Sequence, residues 1–289
     1  MNRILNTDIF KCPGCNSTGL IFNGDDIFCK SCGSHYSRKN NKYIFIDTGS
    51  AKITDPMDRI KFRLKKFGRL YNFMIWLISP VFTYNHTRRF IRKYISGKQV
   101  TALNIGSGSS RLSQDIINID IIDYEEVDIV CDITSLPFEN GSIDCVLNIA
   151  VLEHVPEPAI VVDEIHRVLK HDGMLLCYIP FIVGFHASPH DYSRMTFQGM
   201  KYLFRNFNII ELNVGGGPTS GLLWILQEWI AITLSFGSKK IHSILYVLIM
   251  LITFPIKFID LLLIKHPSAK NIASGFFIIA QKTQENGTL

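Results

Sequence analysis

The chain has 289 residues, 47% of them hydrophobic, and a formal net charge of +5. That length and apolar content exclude a disordered chain, and the slightly positive mean hydropathy is high for a protein whose whole surface meets water. The N-terminus, MNRILNTDIFKCPGC, reaches polar and charged residues within the first dozen positions, so it does not read as a secretory signal and a cytoplasmic location is expected.

Residues 1–48 are expected to form a zinc ribbon. Cys12 and Cys15 form one CxxC pair and Cys29 and Cys32 a second, with thirteen residues between the two pairs. Two such knuckles supply the four thiolates of a tetrahedral zinc shell and leave no ligand position open, so the metal is expected to be structural. An odd total of seven cysteines in a reducing compartment also points away from a disulfide framework.

Residues 49–98 read as a basic, amphipathic helical linker. Ten Lys and Arg fall between Arg59 and Lys93 without one acid, and aromatics such as Phe62, Phe67, Phe73 and Trp76 are interleaved among them. That mixture suits a helix lying in the headgroup layer of an anionic membrane, although a basic patch also suits nucleic-acid phosphates.

Residues 99–216 reverse the charge, with six Lys or Arg against sixteen Asp or Glu, a net of 6 − 16 = −10. The short apolar runs VTALNI, INIDI, VDIVC, DCVLNI and MLLCYIP predict buried parallel strands. Val162, Ile165, Val168 and Leu169 recur at helical spacing between the last two, and His171-Asp172-Gly173 is expected to end that helix. The alternation predicts an α/β, doubly wound sheet, with FNIIELNV and SGFFIIAQK as two late strands and an apolar helical insert at about 217–272 between them.

The first strand ends in Gly106-Ser107-Gly108, where two residues without Cβ let the backbone turn tightly and approach a ligand. Asp120 closes the next strand, where it could grip a ribose diol, and Asp132 closes the third, where it could meet an adenine amino group.

Together, LNIGSGSS, INID, VCDITSLPFENGSIDCVLNIAVLEHVPEP and EIHRVLKHDGMLLCYIPF resemble class I S-adenosylmethionine-dependent methyltransferases, in the branch that includes those of quinone biosynthesis. The resemblance implies a Rossmann-like sheet over residues 99–289 and S-adenosylmethionine as cofactor. It assigns Gly106 and Gly108 to the methionine part of the cofactor, Asp120 to its ribose, Asp132 with Ile133 to its adenine, and Asn148 to Ala150 to the strand end beneath the methionine. Asn104 stands where the family usually has an acid and Ser110 where it has a third glycine. Only twelve positions separate Gly108 from Asp120, so the first helix is expected to be short or irregular. The CKSCGSHYS pattern is similar to the zinc-ribbon activating partner of some methyltransferases, here fused in cis.

Methyl transfer to a hydroxyl needs alignment and proton removal. His154, in LEHV, is a candidate for catalysis or acceptor placement, and so are His190 and Asp191 in HASPHDYSRMT, with His186, Tyr192 and Arg194 nearby. The alternative for that second group is a loop capping a helix that starts near Thr196.

In the insert the longest uncharged run, Ile241 to Ile256, has sixteen residues, short of the roughly 20 a bilayer crossing needs. Helices sunk in one leaflet are expected; a single tilted span and burial in a homodimer are the alternatives. The sequence thus points to methyl transfer onto an amphiphilic or lipid-linked acceptor, a glycan precursor or quinone-like molecule, on the inner face of the cell membrane. An RNA base methyltransferase is disfavoured because nucleic acid explains the basic stretch but not the insert. A non-enzymatic binding module on the same fold is the third reading, motivated by Asn104 and Ser110.

Overall fold

The computed structural model describes residues 7–46, 85–186 and 190–283. Most of the expected basic linker, including Arg59 to Arg69, lies outside them. Its last part forms helix α1 (His86–Tyr94), which carries Arg88, Arg89, Arg92 and Lys93.

Four short antiparallel strands open the chain: β1 (Leu20–Asn23), β2 (Asp26–Cys29), β3 (His35–Lys39) and β4 (Lys42–Ile44). The remaining strands are β5 (Ala102–Ile105), β6 (Ile117–Asp120), β7 (Ile129–Val130), β8 (Ile143–Ile149), β9 (Leu169–Pro180), β10 (Asn208–Gly216) and β11 (Gly275–Gln281). All eleven belong to one sheet in the order β1-β2-β3-β4-β7-β6-β5-β8-β9-β11-β10. Strands β4 to β9 run parallel from β4 across to β9, and β11 lies antiparallel between β9 and β10. The ribbon is therefore not a tethered module. Tyr43 and Ile44 pair with Ile129 and Val130, and β4 extends the main sheet past its third strand.

The sheet is covered on both faces, as continuous apolar strands require. On one face lie helix α2 (Pro158–Val168) and helix α3 (Phe197–Leu203), which bury Val161, Val162, Ile165, Val168 and Met200. The ribbon contributes Phe10, Tyr43 and Phe45 to this same core, with the Phe10 ring stacked 5.4 Å from that of Phe138. On the other face Phe90 of α1 and Ile95 pack over Ala102, Cys145, Leu147 and Phe277.

Two local expectations are corrected. The helix ends at Val168 rather than at Gly173, because Leu169 is already extended and pairs with Ile143; Asp172 takes a left-handed φ of 62° within the strand ladder. Between β5 and β6 the irregular first helix is no helix at all. Arg111 occupies that stretch instead, its guanidinium bonded to Glu126 Oε2 at 2.7 Å and to both oxygens of Asp128 at 2.9 and 3.1 Å.

The apolar insert is a helical hairpin, α4 (Pro218–Leu234) and α5 (Lys239–Thr253), followed by a 3-10 stretch, Phe254–Ile259, and helix α6 (Asp260–Leu263). Gln227 Nε2 donates to Thr253 Oγ1 at 2.7 Å and ties the two long helices together.

Candidate active site

The strand order reverses between β5 and β8, and in a doubly wound sheet the crevice opens at the carboxyl ends of the two strands flanking that point. Gly106 follows β5 there and Ala150 follows β8. Both have left-handed φ, 71° and 55°, so each strand turns sharply away from the sheet. The two glycines serve different ends. A Cβ on Gly106 would overlap the Val151 side chain, whereas one on Gly108 (φ 57°) would meet no atom within 4 Å. Gly106 is thus fixed by packing, and Gly108 faces the open cradle.

Asp120 lies beside that cradle. Its Oδ2 accepts from Gly108 N at 2.8 Å and its Oδ1 from Ile122 N at 3.0 Å. A carboxylate has about four acceptor positions, so two of them remain for a diol. Burial raises the Asp120 pKa against the pull of these backbone donors. Asp132 is exposed, and its Oδ1 is taken by the Thr134 amide and hydroxyl at 2.8 and 2.7 Å. Ile133 packs at the margin of the main core.

Two residues placed at the cofactor by the family pattern also bond inside the protein. Asn104 is buried and its Nδ2 donates to Asn118 Oδ1 at 3.1 Å. Asn148 is buried, donates to Ile105 O at 3.3 Å and accepts from Cys177 Sγ at 3.5 Å. What that strand end offers the cleft is Ala150, which is exposed.

The acceptor end of the crevice is built by the turn after β8 and the loop after β9. His154 and His186 bring their rings to 5.3 Å, edge to face, and Glu153 lies beneath them, fully buried. Glu153 is not among the residues singled out from the sequence; a lone acid inside the apolar run IAVLEHV was the available signal. The Glu153 carboxylate is the main influence holding His186 above the ordinary histidine range.

The two candidates His190 and Asp191 do not bond to each other among the described residues; it is His186 Nδ1 that lies 3.8 Å from Asp191 Oδ2. His190 is exposed, its ring sits 5.6 Å from that of Tyr192, and only its carbonyl enters the cluster, 2.5 Å from His154 Nδ1. Asp191 instead pairs with both terminal nitrogens of Arg194 and accepts from His186 N at 2.9 Å. The Arg194 guanidinium holds its carboxyl down at about 2. Asp191 is thus a buttress that sets the loop, and Thr196 caps α3 through Gly199 N at 3.0 Å.

At the far side of the sheet Cys12, Cys15, Cys29 and Cys32 converge. Their sulfurs lie 3.6 Å apart in the pairs Cys12 with Cys32 and Cys15 with Cys29. Four sulfurs at about 2.3 Å from zinc stand roughly 3.8 Å from one another, so the donor set fits that ion.

The family model described as methyltransferase domain matches residues 86–177. No curated protein matches the chain. Among solved structures, a chain from the complex of the Haloferax volcanii Trm112 methyltransferase activator with a methyltransferase superposes at TM-score 0.44 and 13% identity, covering 80% of this chain and 100% of that one. Burkholderia thailandensis 1,6-didemethyltoxoflavin-N1-methyltransferase, with bound 1,6-didemethyltoxoflavin and S-adenosylhomocysteine, gives 0.44 and 13% over 91% and 99%. Haemonchus contortus phosphoethanolamine N-methyltransferase 2 with phosphomonomethylethanolamine and S-adenosylhomocysteine gives 0.43 and 17% over 70% and 53%. The match over residues 86–177 takes in the glycine cradle and the His154 turn and identifies that stretch as a methyltransferase domain.

Proposed function

We propose that this methyltransferase acts at the cytoplasmic surface of a membrane and methylates an oxygen of an amphiphilic or lipid-linked acceptor, such as a glycan precursor or a quinone-like molecule. A structural zinc ion in the cysteine ribbon and S-adenosylmethionine over Gly108 and Asp120 complete the reading. The cofactor supplies a methyl group on a sulfonium; the chain's own task is to orient the acceptor, exclude water and dispose of the hydroxyl proton.

Helix α4 carries this reading. One of its sides sets Trp224 against the cleft, its ring 5.5 Å from that of His186 and so close to Gly184 that a Cβ there would overlap it. Its other side leaves Leu222, Ile225, Trp229 and Ile232 exposed. The outward apolar surface continues over α5 and α6 through Ile252, Leu261 and Leu262, and Phe236 at the hairpin tip is 91% exposed. An unsheltered apolar surface of this extent marks a membrane or partner contact. Phe185, next to His186 in the chain, is also exposed, so apolar surface continues up to the polar cluster, which suits a ligand with an apolar tail and a polar head.

Lys239–Leu263 is long and apolar enough, by length and composition, to cross a membrane. Its end is tied back, however: Asp260 accepts from Thr219 N and Ser220 N, both at 2.8 Å. That tie favours a hairpin lying in one leaflet over a threaded span.

Two measurements test the proposal. Incubation with methyl-labelled S-adenosylmethionine and a total extract of the host cell is expected to label the lipid fraction, and the protein is expected to float with vesicles containing anionic lipid. Label in RNA or protein, or failure to float, would overturn it. Replacing Leu222, Ile225 and Trp229 by serine is expected to abolish flotation while S-adenosylhomocysteine binding persists.

A further inference from the structure

We infer that Glu153, His154 and His186 form a binding site for one divalent first-row transition-metal ion at the acceptor end of the cleft, separate from the cysteine ribbon. Three independent features converge there. The ligand atoms of the three residues all lie within 4.8 Å of one another, with His154 Nε2 at 3.9 Å and His186 Nε2 at 3.8 Å from Glu153 Oε1.

The rings are also turned the right way. His154 Nδ1 meets the His190 carbonyl at 2.5 Å, and His186 Nδ1 meets the Gly184 carbonyl at 3.0 Å. An Nδ1–H donated to a carbonyl leaves the Nε2 lone pair free, the arrangement that orients imidazoles on metals. Arg194 Nη2, which can only donate, lies 3.2 Å from the Gly184 carbonyl and 3.3 Å from His186 Nδ1; donating to the carbonyl, it leaves the Nδ1 proton in place, and its charge is matched by Asp191.

The third feature is Glu153 itself. Its side chain is 0% exposed, and neither carboxylate oxygen has a hydrogen-bond partner among the described residues. An acid buried without a donor is costly, and a coordinated cation removes that cost. Two imidazoles and one carboxylate suit manganese, iron, cobalt or zinc better than magnesium or calcium, and three protein ligands leave coordination positions open.

The inference deepens the oxygen-acceptor reading and rests on it for its chemistry. An acceptor with two adjacent oxygens, such as a vicinal diol, a catechol or a hydroxy-ketone, fills the open positions. The metal-bound hydroxyl releases its proton to solvent. Its oxygen lone pair then forms the O–CH3 bond as the C–S bond breaks, and that electron pair returns the sulfonium to a neutral thioether.

The full chain, stripped with chelator and restored with one equivalent of zinc for the ribbon, is titrated with Mn2+ and followed by electron paramagnetic resonance. One Mn2+ per chain is expected. Glu153→Gln and His186→Ala are expected to weaken it about tenfold or more while keeping the zinc and the thermal shift given by S-adenosylhomocysteine; His190→Ala, which retains its carbonyl, is expected to bind Mn2+ as the parent does. No binding at millimolar Mn2+, or equal binding in both variants, would overturn the inference. Lipid labelling by metal-free protein would sink the metal and spare the acceptor, whereas metal binding with label in RNA would do the reverse.

Discussion

Asp260 and Ser220, forty positions apart, meet at the base of the helical hairpin: Asp260 Oδ2 accepts both the amide and the hydroxyl of Ser220, at 2.8 and 2.6 Å. Its other oxygen takes the Thr219 amide at 2.8 Å. Asp260 is fully buried and sits where a helix start presents unpaired N–H groups and a favourable dipole. Asp260→Ala should therefore cost about 1–3 kcal/mol, a fall of some 2–4 °C per kcal/mol in the melting temperature. Asp260→Asn, which keeps one acceptor oxygen, should lose less. Equal melting of all three proteins would refute this cap.

The two cradle glycines separate stability from binding. Gly106→Ala should destabilise the protein without any ligand, since its Cβ overlaps Val151, and the added change Val151→Ala should restore part of the loss. Gly108→Ala carries only the left-handed penalty of about 1–2 kcal/mol, but its methyl enters the open cradle. Calorimetry with S-adenosylhomocysteine should show the larger affinity loss for Gly108→Ala.

Asp120→Asn tests the ribose grip. The amide keeps one acceptor oxygen for Gly108 N or Ile122 N but loses the charge and half the lone pairs. A charged hydrogen bond contributes about 1.5–3 kcal/mol, so S-adenosylhomocysteine binding should weaken about 10–100-fold. An unchanged dissociation constant would remove Asp120 from the site.

Removing metal from the ribbon should be felt by the whole molecule. Phe10, Tyr43 and Phe45 share one core with Phe138 and Ile129, so chelation should lower a single cooperative transition rather than leave a body that melts as before. Two separate calorimetric peaks, the later one insensitive to chelator, would show the ribbon to be independent.

His86 supplies a pH dependence. Burial beside Phe277, with Glu211 and Arg89 as the nearest charges, lowers its pKa from 6.5 to about 4. Below pH 6.5 the unfolded chain takes up a proton that the folded one refuses until about pH 4, so stability falls across that window. His86→Phe, which keeps the ring stack, should flatten the decline in melting temperature between pH 7 and pH 4.5. Parallel curves for the two proteins would count against the assignment.

Much of this was legible in the sequence because it is local. The strands announce themselves as apolar runs, the glycines and Asp120 fall at strand ends, and the four cysteines converge as their spacing implies. What escaped depends on distant partners. Pairing of Tyr43 with Ile129 leaves no trace in either segment. The bonds that Asn104 and Asn148 make to Asn118, Ile105 and Cys177 depend on neighbouring strands and leave no mark in the local sequence. His190 sits next to Asp191 in sequence, yet the loop turns so that His186 joins His154 over Glu153. The lost first helix was legible only as a shortage of residues; that Arg111 would clamp Glu126 and Asp128 in its place was not.

The union of β4 with β7 carries one more consequence. A two-residue strand such as β7 would otherwise end the sheet with open amides and carbonyls beside Val127 and Val130, a template onto which other chains can align. Fusing the ribbon to the enzyme covers that rim and moves the open edge of the sheet out to β1, the outermost strand of the ribbon.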